Sequence, residues 1–272
     1  PSAWAWRKGR AKSCARVADE IVAIFPHELP PYEAAGANIS FVGNPLIDTV
    51  RAEMGEEEAR RHFGVTDGEI PVLLMPGSRR EEIERLLPPM LGAAEILVAR
   101  DSMRRFFLPV AGGVDTAQIQ RHLAASSVEV TLTHDARYAL MGIARAAIAA
   151  SGTVIMEAAI MGLPAVVLYR MSALSYLVGR LLVDVPRFSL PNILLGETFE
   201  TELLQDAVQP ERIAAAMEDI IADGAARDYV TEHLARAVAV LGEPNAARRV
   251  AEKILALARS HGRAADENVQ CS

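Results

Sequence analysis

The sequence predicts an α/β protein whose parallel sheets are covered by helices on both faces. Three observations carry that expectation. Short apolar segments alternate with longer helix-patterned ones along most of the chain, as parallel strands with helical crossovers require. With 272 residues, 51% of them apolar, the chain can bury a sizeable core as one large domain or more. Two of the apolar segments run directly into glycine-bearing turns followed by helices, at Pro76-Gly77-Ser78-Arg79-Arg80 and Ser151-Gly152-Thr153.

Taken in order, residues 7–16 pattern as a helix, 20–25 as a strand, 28–35 as a short helix and 39–42 as a second strand, followed by Gly43-Asn44-Pro45. The polar stretch 49–58 reads as a boundary. A second unit opens with a helix at 57–63 and a buried strand at 71–75, whose turn leads into a long helix at 81–99. Strands at 106–110, 128–132 and 146–150 then alternate with helices at 116–124 and 136–143. After the Ser151 turn come a helix, a strand at 165–168, an amphipathic Leu-rich stretch at 171–185 and a loop holding Leu190-Pro191-Asn192. Helices at 211–222, 227–241 and 246–259 close the chain, with a polar, frayed tail after His261. The expected division is therefore 1–50, 51–245 and a C-terminal helix and tail at 246–272.

Composition removes several classes of function. A net charge of −7 and a pI near 5.5 argue against wholesale nucleic-acid binding. Cys14 and Cys271 lie near opposite ends, which fits a reducing compartment better than a disulfide framework. The six histidines form no metal-ligand spacing, so no metal is expected, and His27, His62, His122 and His134 read as structural; no cofactor is expected either. No apolar run is long enough to span a bilayer. The start at Pro1 rather than Met carries the expectation of a truncated or processed chain.

The chemistry concentrates at the two junctions. At Ser151-Gly152-Thr153 the backbone N–H groups and the positive end of the following helix form an anion site. Glu157 lies one helical turn below Thr153 on the same face, where a carboxylate can accept ribose hydroxyls. A nucleotide site and an ordinary small-residue turn with an exposed Glu fit this spacing equally. At the other junction Gly77 permits close backbone approach, Ser78 can cap the helix and Arg79 offers a fork matched to phosphate. A capped helix with Glu81, Glu82 and Glu84 on its face is the plainer reading. Two such junctions at the carboxyl ends of strands in one sheet favour a shared ligand crevice. Asn192 can read a base edge or a phosphate, though Asn after Pro is commonly turn chemistry. The basic first helix (Arg7, Lys8, Arg10, Lys12, Arg16) can face anionic lipid or a phosphorylated acceptor, though a solvated helix face is the commoner explanation. The stretch 171–185, with Tyr176 and Arg180, reads as a core helix or an acyl-chain contact.

Together the segments PSAWAWRKGR at 1–10, AIFPHE at 23–28, FVGNPL at 41–46, LMPGSRREEIERLLP at 74–88, ASGTVIMEAAIMGLP at 150–164, LYRMSALSY at 168–176 and SLPNILLGE at 189–197 resemble the bacterial lipid-A-disaccharide synthase family over nearly the whole chain. That resemblance implies two Rossmann-like units in the GT-B arrangement, the first present only as a remnant. It implies an inverting, metal-independent glycosyltransferase. The donor UDP-2,3-diacylglucosamine and the acceptor 2,3-diacylglucosamine 1-phosphate give the β-1,6-linked lipid A disaccharide 1-phosphate and UDP. The expected setting is the cytoplasm, peripheral on the inner face of the inner membrane, with a homodimer as a further expectation. By motif, Ser78 and Arg79 would contact the donor near its diphosphate, and Ser151, Gly152 and Thr153 would cradle its phosphates. Glu157 would hold the ribose, while Asn192 and Arg170 would complete the pocket. The family's general base is expected upstream of Pro1, and Asn44 stands where the family usually has His. Other readings are a UDP-N-acetylglucosamine 2-epimerase-like enzyme and a non-catalytic UDP-sugar-binding module.

Overall fold

The computed structural model describes residues 9–171 and 186–270. The chain divides into two compact units, residues 1–49 together with 241–272, and residues 50–240.

The first unit begins with α1 (Gly9–Val17), β1 (Ile21–Ala23), a 3-10 turn at Pro26–Glu28, α2 (Leu29–Glu33), β2 (Ile39–Phe41) and α3 (Leu46–Thr49). β1 and β2 pair in parallel, Ile21 opposite Ile39, and Ala11, Ile21 and Tyr32 form a small core. Asn44 is buried and bonded at both ends of its amide. Its Nδ2 donates to Ile24 O at 2.8 Å, its Oδ1 accepts from Leu46 N at 2.9 Å, and its own N–H donates to Leu241 O at 2.9 Å. In this chain the position is a brace between segments.

The second unit contains α4 (Glu56–His62), β3 (Ile70–Met75), α5 (Arg80–Arg100), β4 (Arg104–Pro109), α6 (Thr116–Leu123), β5 (Val130–Thr133), α7 (Arg137–Ile143), β6 (Ala146–Ala150) and α8 (Thr153–Ile160). It continues with β7 (Ala165–Tyr169), α9 (Leu190–Leu195), β8 (Glu202–Leu204), a 3-10 turn at Gln205–Ala207, α10 (Pro210–Ile221) and α11 (Ala225–Ala239). The six strands form one wholly parallel sheet in the order β5-β4-β3-β6-β7-β8. Chain order reverses between β3 and β6, so their carboxyl ends flank the switch-point crevice where open α/β sheets bind ligands.

The sheet is apolar because both of its faces are covered. Leu73, Leu74, Phe107, Ala147, Ile148 and Val167 are fully buried. The alanines of β6 let the flanking helices approach closely. Charge placement helps define the helices: α4 has Glu56, Glu57 and Glu58 in its first turn and Arg60, Arg61 and His62 in its last, complementing the helix dipole. α5 tolerates Pro88 and Pro89 under the packing of α10, and an added Cβ on Gly92 would come within 2.9 Å of Pro210 Cγ. At the amino end of the sheet Arg104, almost fully buried, forks onto Glu218 of α10 through two 2.7 Å bonds.

The chain then returns to the first unit through α12 (Ala246–Gln270). Asp48 caps its start, accepting from Asn245 N at 2.6 Å and Ala246 N at 3.1 Å, and Arg249 Nε donates to Val42 O at 2.7 Å. Gly43, at φ +105°, fits under this helix only as glycine, since a Cβ would lie 2.8 Å from Arg249 Nη2 and 2.9 Å from Glu243 O.

Three elements differ from the sequence expectation. Leu190-Pro191-Asn192 is the first turn of α9 rather than a loop, because Pro191 occupies an early position whose missing N–H costs no helical bond. β8 was not anticipated, being three residues long with no period to detect. The stretch beyond His261, expected to fray, continues α12 to Gln270. Residues 172–185 of the amphipathic stretch, with Tyr176 and Arg180, lie outside the described residues, as do Arg7 and Lys8. No described helix is long and apolar enough to cross a membrane.

Candidate functional site

A cleft of about 580 Å³ opens at the carboxyl ends of the central strands. Its walls are the turn after β3 (Pro76 to Arg79, with Glu82), the turn after β4 (Val110 to Gly112), the loop after β5 (Thr133 to Arg137) and the turn after β6 (Ser151 to Val154, with Glu157). The first of these walls is closed by its own helix. Glu82 Oε2 accepts from Ser78 N and Arg79 N, both at 3.3 Å, and its Oε1 takes Arg79 Nη1 at 2.8 Å. Gly77 makes this possible: at φ +105° a Cβ would sit 2.4 Å from Glu82 Oε2. The Arg79 side chain is 83% exposed, so it can turn toward a ligand only by leaving its solvated pair with Glu82.

The turn after β6 is built differently. Ser151 N donates to Leu168 O at 2.8 Å, and its hydroxyl donates to Phe188 O at 2.9 Å. Both of its protons are therefore spent inside the protein, which leaves Ser151 no hydrogen for an anion. The expectation that Ser151 cradles phosphate thus changes: it anchors the turn. The N–H groups of Gly152, Thr153 and Val154 have no acceptor among the described residues. A Cβ on Gly152 would meet nothing within 4 Å. The head of α8 is an open, uncapped helix N-terminus facing the cleft.

Glu157 lies one turn below it, buried at 8% exposure. Its Oε1 accepts from Arg137 Nη2 at 3.2 Å, and its Oε2 is buried with no partner among the described residues. Burial raises this carboxyl above its ordinary value, with the Arg137 guanidinium opposing. An unpaired buried carboxylate oxygen costs free energy until a donor reaches it. Arg137 also donates to Tyr138 Oη at 2.6 Å and lies 4.6 Å over that ring.

Sequence reasoning missed Arg137, Glu53 and the 133–136 loop. Glu53 Oε2 accepts from Ala139 N at 2.7 Å, capping α7 as Glu82 caps α5. Ala136 precedes α7 in the left-handed region at φ +45°, the geometry that turns Arg137 into the cleft. The available signal was that β5 also ends at this edge and is followed by a helix. Two predicted residues fall elsewhere. Asn192 is fully buried: its Oδ1 accepts from Phe199 N and Glu200 N, and its Nδ2 donates to Glu200 O and Glu202 Oε1. With all four positions used, it has none left for a ligand and does not line the cleft. Arg170, half-buried just beyond β7, does not line it either.

The family model described as lipid-A-disaccharide synthetase matches residues 1–256. Curated lipid-A-disaccharide synthases from Syntrophus aciditrophicus and Geobacter sulfurreducens are each 42% identical to this chain, over 258 and 255 residues, or 94% of it. The chain belongs to the lipid-A-disaccharide synthase family. It spans about two thirds of those synthases, 67% and 66% of their respective lengths. Among solved structures, the UDP-GlcNAc 2-epimerase of Neisseria meningitidis bound to UDP-GlcNAc aligns with a TM-score of 0.61 at 14% identity, covering 89% of this chain and 62% of that one. Anabaena HepE in complex with UDP-glucose aligns at 0.52 and 14%, covering 92% and 68%. At such identities the likeness speaks for the GT-B-type fold alone, whereas the synthase match speaks for the family.

Proposed function

We propose that this chain carries the donor site of a lipid-A-disaccharide synthase. It holds the UDP portion of UDP-2,3-diacylglucosamine while the 6-hydroxyl of 2,3-diacylglucosamine 1-phosphate attacks the anomeric carbon. The new β-1,6 bond forms with inversion, the bond to the diphosphate oxygen breaks, and UDP leaves. The observation that carries the reading is Glu157: a buried carboxylate whose Oε2 has no partner among the described residues, one turn below a helix head that none of them caps, in the switch-point cleft. Ribose hydroxyls supply the donors that Oε2 lacks. Negative charge gathering on the departing diphosphate meets the N–H groups of Gly152 and Thr153, the positive end of α8 and the Arg79 guanidinium once it leaves Glu82. Ser78, whose N–H is taken by Glu82, contributes through its hydroxyl. No residue here is assigned as general base, a role we place in the part of the synthase fold that this chain does not span. The reaction is set at the cytoplasmic face of the inner membrane, with a homodimer as its further expected state.

Calorimetric titration of UDP into the chain tests the reading. UDP has about 25 heavy atoms, and at roughly 0.3 kcal/mol each a competent pocket reaches micromolar affinity. A folded sample that takes up no UDP overturns it.

A further inference from the structure

We infer that Glu202, outside the cleft, is a positioning residue for the phosphate-facing turn, acting through Phe188 and Ser151. The sequence gives no hint of this, because Glu202 lies on the edge strand and touches none of the cleft walls. Its carboxylate gathers three donors: Phe188 N on Oε2 at 3.0 Å, with Ser189 N at 2.9 Å and Asn192 Nδ2 at 2.7 Å on Oε1. These hold the short strap that enters α9. The strap's Phe188 carbonyl in turn accepts the Ser151 hydroxyl at 2.9 Å. On its other side Ser151 is fixed to β7 through Leu168 O. The turn is thus clamped between sheet and strap, and the strap is set by Glu202.

Two details separate this from ordinary loop anchoring. First, Phe188 O is the acceptor of the only proton on the Ser151 hydroxyl, so the strap orients the residue that immediately precedes the open N–H groups of Gly152 and Thr153. Second, a parallel tether exists at the strap's next residue, where the Ser189 hydroxyl donates to Glu200 Oε2 at 2.9 Å in a fully buried setting. Two acidic side chains of one edge segment therefore fix consecutive strap residues, and Asn192 serves both by bracing Glu200's backbone and pairing with Glu202. Asn192 then acts on the site at one remove, through the strap. An anion site whose donors are backbone groups needs its backbone held to within fractions of an ångström, and such precision comes from residues behind the turn.

The affinity arm of the test rests on the UDP reading, while the exchange arm does not. Glu202→Gln places an amide NH2 where a carboxylate oxygen received a donor, so one strap bond is lost. Ser151→Ala cuts the chain at its other end. UDP affinity is expected to fall about tenfold in each variant, and the double variant to lose no more than the larger single loss, because both act through one linkage. Hydrogen exchange at the two bonded amides that flank the open ones, Ser151 N on Leu168 O and Ile155 N on Gly152 O, is expected to rise in each variant beyond what its change in urea midpoint accounts for. A merely structural role would raise exchange across the unit in proportion to lost stability, which overturns the inference, as do multiplying affinity losses or unchanged binding in both variants. If Glu202→Gln does not fold, Glu202→Asp, which keeps the charge and draws the carboxylate back by one methylene from Phe188 N and Ser189 N, takes its place beside Ser151→Ala in the same two readouts. If the folded parent chain binds no UDP, the donor-site reading fails, and the exchange comparison still decides this one.

Discussion

The two strand–turn–helix junctions of the cleft look alike in sequence and are built in opposite ways. After β3, the helix caps itself: Glu82 takes both turn N–H groups and the Arg79 guanidinium, and Gly77 is required by its positive φ and by the carboxylate beneath it. After β6, no described side chain caps the helix, Gly152 sits in an extended conformation with nothing within 4 Å of where a Cβ would be, and Glu157 Oε2 has no partner among the described residues. The head of α7 sides with the first, closed by Glu53. A helix head satisfied from within gains little from a ligand. One left open costs stability until an anion arrives, and it is on that asymmetry that we propose α8 as the end that receives the diphosphate.

The largest test of this contrast is Glu157→Ala. A hydrogen bond to a charged group contributes about 1.5–3 kcal/mol, so UDP affinity should fall roughly tenfold to a hundredfold. Calorimetry beside the parent chain checks it. Unchanged affinity would strip the open junction of its role. Next comes an exchange of roles between the glycines. Gly77→Ala forces a side chain into a positive-φ position and displaces Glu82, at a cost of about 1–3 kcal/mol that a shifted urea midpoint would report. Gly152→Ala should leave the midpoint within about 0.5 kcal/mol of the parent, yet weaken UDP, since its Cβ projects into space a phosphate would use. Equal stability losses in the two variants would erase the distinction.

Much of this was legible in the sequence. The continuous apolar strands and the two glycine turns pointed to a parallel sheet with two junctions at its carboxyl edge, while the strand order that makes that edge a switch point, and the open state of the second junction, came from the fold. What the sequence hid were matters of saturation. Ser151 and Asn192 have the chemistry of ligand-binding residues, but their hydrogen-bonding groups are consumed by Leu168, Phe188, Glu200 and Glu202, partners far along the chain or on a strand too short to foresee. Arg137 was invisible for the converse reason: its partner Glu157 lies on another element, and only the fold brings them to 3.2 Å. Residue type announces capacity, whereas the fold decides whether any capacity is left over.

Arg79→Ala probes the closed junction more gently. The side chain is mostly solvated and its pair with Glu82 is exposed, so the fold should not notice. UDP should weaken about tenfold, consistent with the lower end of a charge-assisted bond, while uridine, which lacks the diphosphate, should bind as before. An equal loss for both ligands would move Arg79 from the phosphates to the nucleoside.

The smallest effect concerns protons, and it belongs to the open junction alone. Burial holds the Glu157 carboxyl above its ordinary value, so as pH falls it takes up a proton before an exposed glutamate would. A protonated Glu157 no longer presents a full carboxylate to ribose hydroxyls, so uridine affinity should decline as pH drops through that raised value, by a few-fold at most. Uridine is the right probe because the phosphates of UDP titrate near the same region. The sign for stability is opposite. A carboxyl with a raised folded-state pKa supports the fold below its unfolded value, and that support is lost as pH rises through the folded one. Glu157→Gln should therefore remove the pH dependence of uridine binding and flatten the accompanying loss of stability. If the variant's binding still tracks pH, the titrating group lies elsewhere in the cleft, and the free oxygen of Glu157 is not what the ribose meets.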